Sequence, residues 1–427
     1  MRKMMKIIGS VALISILARL LGFYREIMIT NQYGLSTTAD AIAQAYTIPN
    51  FIYLVVGGGL TTAFISVYHS TKSEKDLYVR KTLATVLIAA ISITVILIIL
   101  VDPLLKLFFN NRSAEDFALL RNLYLWMMPS SIFLVLSTWM SGLLNITGKY
   151  HLSSIAVFLY NAVFLGLAVF LTRYFGPESY GIGALIGALL MGGFLYIGVR
   201  KSKRYSLKPT FEMSKDIKQL WIIALPILFG GASLQLYILI HRIVSGQFEE
   251  GVVMAVNIAS KSTSLPQTIL IAAVTTVIYP LLSKKEGEED TEAIRVLYKK
   301  GILYLVGLLV PTTVIAYIFA APLISFVFES EKFTRESVKL TVPIFRAFSL
   351  SMFFLAANTY ITRFYYAKGN SIVPVIFSVV SALGINIAVI YLMMGSFGAS
   401  SIAYGTAISA AANFLMLVIY ARVRWKF

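Results

Sequence analysis

Six ionisable residues interrupt or border apolar stretches of this sequence. Arg19 lies near the middle of the first stretch, and Arg25 follows six residues on, beside Glu26. Asp40 opens the second stretch, Lys261 lies inside the eighth and Arg346 inside the tenth. An ionised side chain at a helix centre in lipid costs about 2.5–3.5 kcal/mol on insertion scales, so each needs a partner or a ligand to account for it. The four deep groups Arg19, Arg25, Lys261 and Arg346 are cationic, which suits an anionic substrate. A guanidinium stays charged and offers forked donors that match phosphate. The carboxylates Glu26 and Asp40 lie near the outer end, where they are expected to orient the arginines rather than bind a ligand directly. The competing structural reading of each cation is an intramembrane ion pair or a snorkelled head. It weighs least on Arg19, because of its depth, and most on Arg346. A pump for cationic drugs would use a central carboxylate, and a proton-coupled carrier a carboxylate or histidine at depth. The sequence offers neither at a readable position.

Other chemistries lack their residues. There is no cysteine, which excludes a disulfide framework, a thiolate metal site and a cysteine nucleophile. His69, His151 and His241 have no metal-ligand spacing and are expected at ordinary surface positions. No nucleophile stands beside an oriented base, so the expectation is a protein that is not an enzyme and takes no cofactor or metal. Gly57-Gly58-Gly59 is read as a packing site rather than a hinge, and it lacks the lysine of a phosphate loop. Tyr24, Tyr46, Trp126 and Trp221 are assigned to interfacial belts.

The elements that must position these groups are membrane helices. Of 427 residues 58% are hydrophobic and 13% charged, about half the charge of a soluble domain. The apolar runs are continuous, which excludes a barrel with period two. The length allows about a dozen spans. They are read at 7–30, 38–69, 82–109, 118–146, 151–173, 180–199, 219–241, 252–282, 301–328, 338–362, 371–395 and 400–421. The first is read as a retained helix, not a signal peptide, since Arg19 and Arg25 interrupt it and no clear cleavage site follows. The net charge of +17 is not a nucleic-acid signal: the loops assigned to one side hold 25 Lys and Arg, those assigned to the other six. That asymmetry places both termini in the cytoplasm.

The two halves repeat. Asp40, Gln44, Pro49 and Asn50 pair with Asn257, Lys261, Pro266 and Gln267 at an offset of 217. Pro103 pairs with Pro322, Gly148 with Gly369, Gly176 with Gly398 and Gly183 with Gly405, at offsets of 219, 221, 222 and 222. The implied fold is an all-α polytopic protein of two six-helix lobes related by a parallel repeat. Its expected domains are residues 1–199, a basic cytoplasmic linker at 200–218, and residues 219–427.

The run Ala18-Arg19-Leu20-Leu21-Gly22-Phe23-Tyr24-Arg25-Glu26, followed by Asp40-Ala41 and Pro49-Asn50, resembles the opening of the MurJ/MviN lipid II flippases. Asn257-Ile258-Ala259-Ser260-Lys261 through Pro266, with Tyr279-Pro280-Leu281-Leu282-Ser283-Lys284, resembles that family's eighth span. The two-lobe plan resembles the wider multidrug/oligosaccharidyl-lipid/polysaccharide exporter superfamily. The resemblance implies a flippase in the bacterial plasma membrane. It would move a polyprenyl-pyrophosphate-linked saccharide from the inner to the outer leaflet, with membrane lipid and cell-wall or polysaccharide enzymes as further partners and no nucleic acid. It implies functional importance for Arg19, Arg25 and Asp40. Lys261 stands where the family usually has arginine, and Tyr53 where many members have another cavity arginine. About twelve spans stand against the family's usual fourteen. With the residue-level reading, the candidate substrate-binding set is Arg19, Arg25, Lys261, Asp40, Glu26, Asn50, Tyr53 and Arg346. A flippase for another lipid-linked polysaccharide, a multidrug exporter of the same fold and a membrane scaffold stay open.

Overall fold

The computed structural model describes residues 2–108, 113–288 and 290–425. Arg112 and Lys426, and the side chains of Arg2, Lys3, Lys6 and Lys284, which enter the orientation count, lie outside that description. So do the side chains of the motif residues Tyr279, Pro280 and Ser283. The described residues form helices and no strand, as a bilayer requires when every backbone polar group must be satisfied within its own segment. They divide into two compact units, Met1–Met28 with Thr37–Gln235, and Ile29–Ser36 with Leu236–Phe427.

The first unit begins with α1 (Arg2–Tyr33), whose last residues from Ile29 belong to the second. The second span is broken into α2 (Thr37–Ala45), α3 (Thr47–Phe51), a π-helical turn at Ile52–Gly57 and α4 (Gly58–Ser70). Pro49 and the glycine run mark the interruptions, since proline removes an intrahelical bond. Gly57 and Gly59 serve close packing: a Cβ on Gly57 would lie 3.1 Å from Thr138 Oγ1, and one on Gly59 2.6 Å from Leu228 Cδ2. Next come α5 (Lys75–Ile99), α6 (Val101–Phe108), α7 (Ala114–Met127), α8 (Ser130–Ile146), α9 (Tyr150–Phe175), α10 (Glu178–Arg200) and the first part of α11 (Lys215–Ser245). Phe64 packs on Trp139 at 5.5 Å and stacks on Tyr78 at 5.7 Å between ring centres. Glycines on α10 let it approach α9 closely.

The second unit holds α12 (Val252–Gly287), α13 (Thr291–Ile318), α14 (Ala320–Phe328), α15 (Arg335–Ser349) and α16 (Met352–Ala367). It ends with α17 (Ile372–Val379), a π turn at Val380–Ile385, α18 (Asn386–Phe397) and α19 (Ser400–Trp425). Its core joins Tyr298, Tyr360, Phe364, Tyr365 and Leu417. Buried hydroxyls there find carbonyls: Tyr360 donates to Leu297 O at 2.8 Å and Tyr365 to Leu417 O at 2.6 Å.

The repeat extends to backbone conformation. Gly148 and Gly369 have φ of 77° and 70°. Gly176 and Gly398 have φ/ψ of 56°/−138° and 50°/−133°. A Cβ on Gly183 would lie 2.7 Å from the carbonyl of Phe164, and one on Gly405 3.1 Å from that of Asn386. Phe164 and Asn386 are themselves 222 apart, like the glycines they receive.

Nine helical segments among the described residues are long and apolar enough to cross a membrane. The expected spans 7–30, 219–241 and 252–282 fall on α1, α11 and α12, which are long enough but are not among the nine. Each of these three helices includes side chains outside the description, so the nine are a count among the described residues and not a limit on the spans. Outward side chains such as Ile99, Leu303, Phe326 and Leu392 are apolar and well exposed, as lipid contact demands.

Candidate functional site

A cavity of about 440 Å³ opens in the first unit, bounded by α1, the π turn and α8–α10. Arg19 is the sole charged residue among those lining it, and no ion pair holds its exposed guanidinium among the described residues. Tyr53 and Asn161 line the same cavity with Ser141, Ser153 and Ser154. Its polar groups besides Arg19 are hydroxyls and an amide, set among Ala18, Gly22, Val157 and Met191. Ser153 Oγ lies 2.9 Å from Asn145 Oδ1, and Asn161 Nδ2 donates to Val157 O at 3.0 Å. The Asn161 carbonyl faces Gly22, where a Cβ would sit 3.4 Å from Oδ1. The absent side chain therefore brings α1 and α9 close at this level.

Arg25 meets different surroundings six residues on. It is 6% exposed, and its Nη2 donates to Glu26 Oε1 at 3.1 Å. Its guanidinium lies 4.5 Å from the ring centre of Tyr46 and 4.6 Å from that of Phe164, a geometry in which ring quadrupoles attract the cation. Tyr160 then donates to the Tyr46 hydroxyl at 3.2 Å. Tyr46 is thus a partner of Arg25 and not part of an interfacial belt. Its spacing from the helix end hid this, because belt and core tyrosines look alike in sequence.

Asp40 on α2 is wholly buried, and Asn50 on α3 is half-buried. Neither lines the cavity. In the second unit Lys261 is half-buried on α12. Arg346 on α15 donates through Nε to Tyr317 O at 3.1 Å, with its guanidinium over the Tyr317 ring. That contact joins α15 to α13 and fits a structural role. The structure therefore brings Arg19 and Tyr53 to one cavity, joins Arg25 to Glu26 beside it in the chain, and leaves Arg346 engaged elsewhere.

Two buried polar residues were not legible in sequence. Arg242, counted among the loop flanks, is 7% exposed and donates to Val253 O at 3.2 Å and to Asn257 Oδ1. His241 is equally buried, 2.7 Å from Thr406 Oγ1 and packed on Phe348. It is not at a surface position, so the absence of a deep histidine no longer argues against proton coupling. The signal was available only as adjacency: a His-Arg pair closing an apolar run reads as a loop boundary until α11 is seen to continue to Ser245.

Residues 29–427 match the family described as lipid II flippase MurJ. The match starts just after Arg25, so the geometry of Arg19 and Arg25 stands independently of it. A curated relative from Bdellovibrio bacteriovorus, "Probable lipid II flippase MurJ", is 24% identical over 94% of this chain and 79% of its own length. A solved structure titled "Lipid II flippase MurJ, inward closed conformation" superposes with a TM-score of 0.84 at 22% identity, covering 96% of this chain and 87% of that one. An inward-facing multidrug resistance MATE transporter of the MOP superfamily superposes with a TM-score of 0.82 at 15% identity, covering 96% and 94%. At those identities the two superpositions establish the fold.

Proposed function

Because the chain belongs to the lipid II flippase MurJ family, we propose that it moves a polyprenyl-pyrophosphate-linked saccharide, lipid II, across the bacterial plasma membrane by alternating access. The observation that carries this reading is the exposed Arg19 guanidinium in a cavity without a lining carboxylate. Such a site attracts a phosphate and offers a cationic drug no counter-charge. Arg19 contacts the pyrophosphate, with Tyr53 and Asn161 beside it. Arg25 and Glu26 hold α1 in register against the interrupted second span and α9 through the Tyr46–Phe164 sandwich, and Lys261 is a further cation for the anionic lipid. Asp40 and Asn50 act by shaping the interrupted second span. Both termini lie in the cytoplasm, cell-wall synthesis enzymes supply and consume the lipid, and the protein makes or breaks no covalent bond.

Native mass spectrometry of the purified protein with its co-purifying lipids tests this. Wild type is expected to retain a polyprenyl-pyrophosphate saccharide and the Arg19→Ala variant to lose it while remaining folded. Equal retention of bulk phospholipid by both, with no saccharide lipid on either, overturns the reading.

A further inference from the structure

The segment joining α10 to α11 is held flat against one end of the first unit. A left-handed Lys203 (φ 50°) turns the chain out of α10. Tyr205 is buried, with its hydroxyl bonded to that of Tyr68 at the end of α4. The Ser206 N–H donates to Asp76 Oδ1 at 2.6 Å, Arg80 Nε to Lys208 O at 3.0 Å, and the Thr210 N–H to Arg80 O at 3.2 Å. Glu212 pairs with Lys81 at 2.9 Å. Asp216 accepts from Thr71 at 2.8 Å and Ser73 at 2.6 Å. These partners all lie at the end of α4, in the α4–α5 turn or in the first two turns of α5, so the segment sits at the level where spanning helices leave the bilayer.

Residues 206–214 are non-helical, and Lys208, Pro209, Phe211, Glu212 and Met213 are all exposed. Glu212 pairs with Lys81 while 59% exposed itself, and Phe211 and Met213 beside it protrude, 70% and 65% exposed. Between 200 and 218 stand seven cations and two carboxylates, a net of +5. Both carboxylates have partners in the contacts above, and Arg200, Lys201, Lys203, Arg204, Lys208, Lys215 and Lys218 are all exposed. The outward face is thus basic around two protruding apolar side chains. That combination fits a lipid surface: apolar groups enter the headgroup boundary, and each basic residue gains from anionic lipid.

We propose that this face docks on anionic lipid headgroups of the membrane in which the protein sits, with Phe211 and Met213 inserted between them. The occupant is lipid because the charge is complementary and the face lies at the bilayer boundary. Docking pins the α4–α5 turn to the membrane through the strap.

The chain has no cysteine, so Met213→Cys carries a single environment-sensitive fluorophore. In vesicles of phosphatidylcholine mixed with phosphatidylglycerol the probe is expected to shift to the blue, to resist iodide and to be quenched by nitroxide-labelled lipid. In phosphatidylcholine alone it should stay accessible. Neutralising Lys203, Arg204 and Lys208 to Gln should lower the docked-to-free ratio about fivefold per charge, and high salt should act likewise. Equal iodide access in both vesicles overturns the proposal. So does protection that ignores the three cations, or that rises with protein-to-lipid ratio, which would assign the face to a second copy. A probe at Phe211→Cys repeats the reading should Met213→Cys fold poorly.

Discussion

Arg19 and Arg25 share a helix and a charge, yet the consequences of removing them differ. Arg25→Ala removes the cation bonded to the buried Glu26 carboxylate, and breaking a buried pair costs about 3–5 kcal/mol. The detergent-solubilised variant is expected to melt well below wild type, and a paired Arg25→Met, Glu26→Gln variant to recover part of the loss, because it leaves no charge uncompensated. Arg19→Ala, at an exposed position, should change stability by no more than about 0.5 kcal/mol while abolishing retention of the phosphate-bearing lipid. Thermal unfolding with lipid mass spectrometry on the same samples separates the two. Sequence ranked both arginines by depth along the helix, which is readable from length. It could not say which side of α1 each occupies, because that helix is apolar nearly all round and gives no periodicity to orient it. The same gap hid Asn161, one polar residue in an apolar run, and the burial of His241.

Helix contacts and caps decide the next scale. Gly183→Ala would drive a Cβ against the Phe164 carbonyl, and Gly405→Ala against that of Asn386. Backbone cannot swing aside as a side-chain tip can, so both should lower the melting temperature. Gly193→Ala, with nothing within 4 Å, should be neutral or stabilise by up to about 1 kcal/mol through helix propensity. A melting series in one detergent checks all three. At the start of α13, Asp290 Oδ1 accepts from the Ala293 N–H at 3.0 Å and Oδ2 from Lys285 at 3.0 Å. The backbone N–H first, and then Lys285, hold its carboxyl below the ordinary 3.8. A lowered folded pKa means that the cap stabilises fully above that ordinary value and loses its contribution as pH falls through the depressed one. Hydrogen exchange in the first turn of α13 should therefore quicken on acidification below about 3.8. In Asp290→Asn, which still caps without titrating, that step should vanish. The Asp290 cap was not read from sequence, and the turn glycines were reached only through the repeat. Helix-on-helix approach was legible only where the repeat flagged its glycines.

The whole chain was readable chiefly through that repeat. Offsets of 217 to 222 taken from prolines and glycines coincide with paired left-handed turns and paired close approaches, since those residues mark backbone states that other residues resist. The number of spans rested on hydropathy alone, which weighs composition without direction. Composition was also silent on how the chain divides. Residues 29–36 belong to the second unit, with Gly34 pressed against Lys332 O and Leu35 against Gly251. Residues 215–235 belong to the first, with Asp216 on Thr71 and Leu228 on Gly59. Each unit therefore keeps a piece of chain that lies on the far side of the strap from the rest of it. A protease nick at 206–214 would yield two fragments that have exchanged segments, in the manner of a domain-swapped pair. The nicked protein should migrate as one species in mild detergent and come apart only on unfolding; early separation would mean that the exchanged segments do not hold.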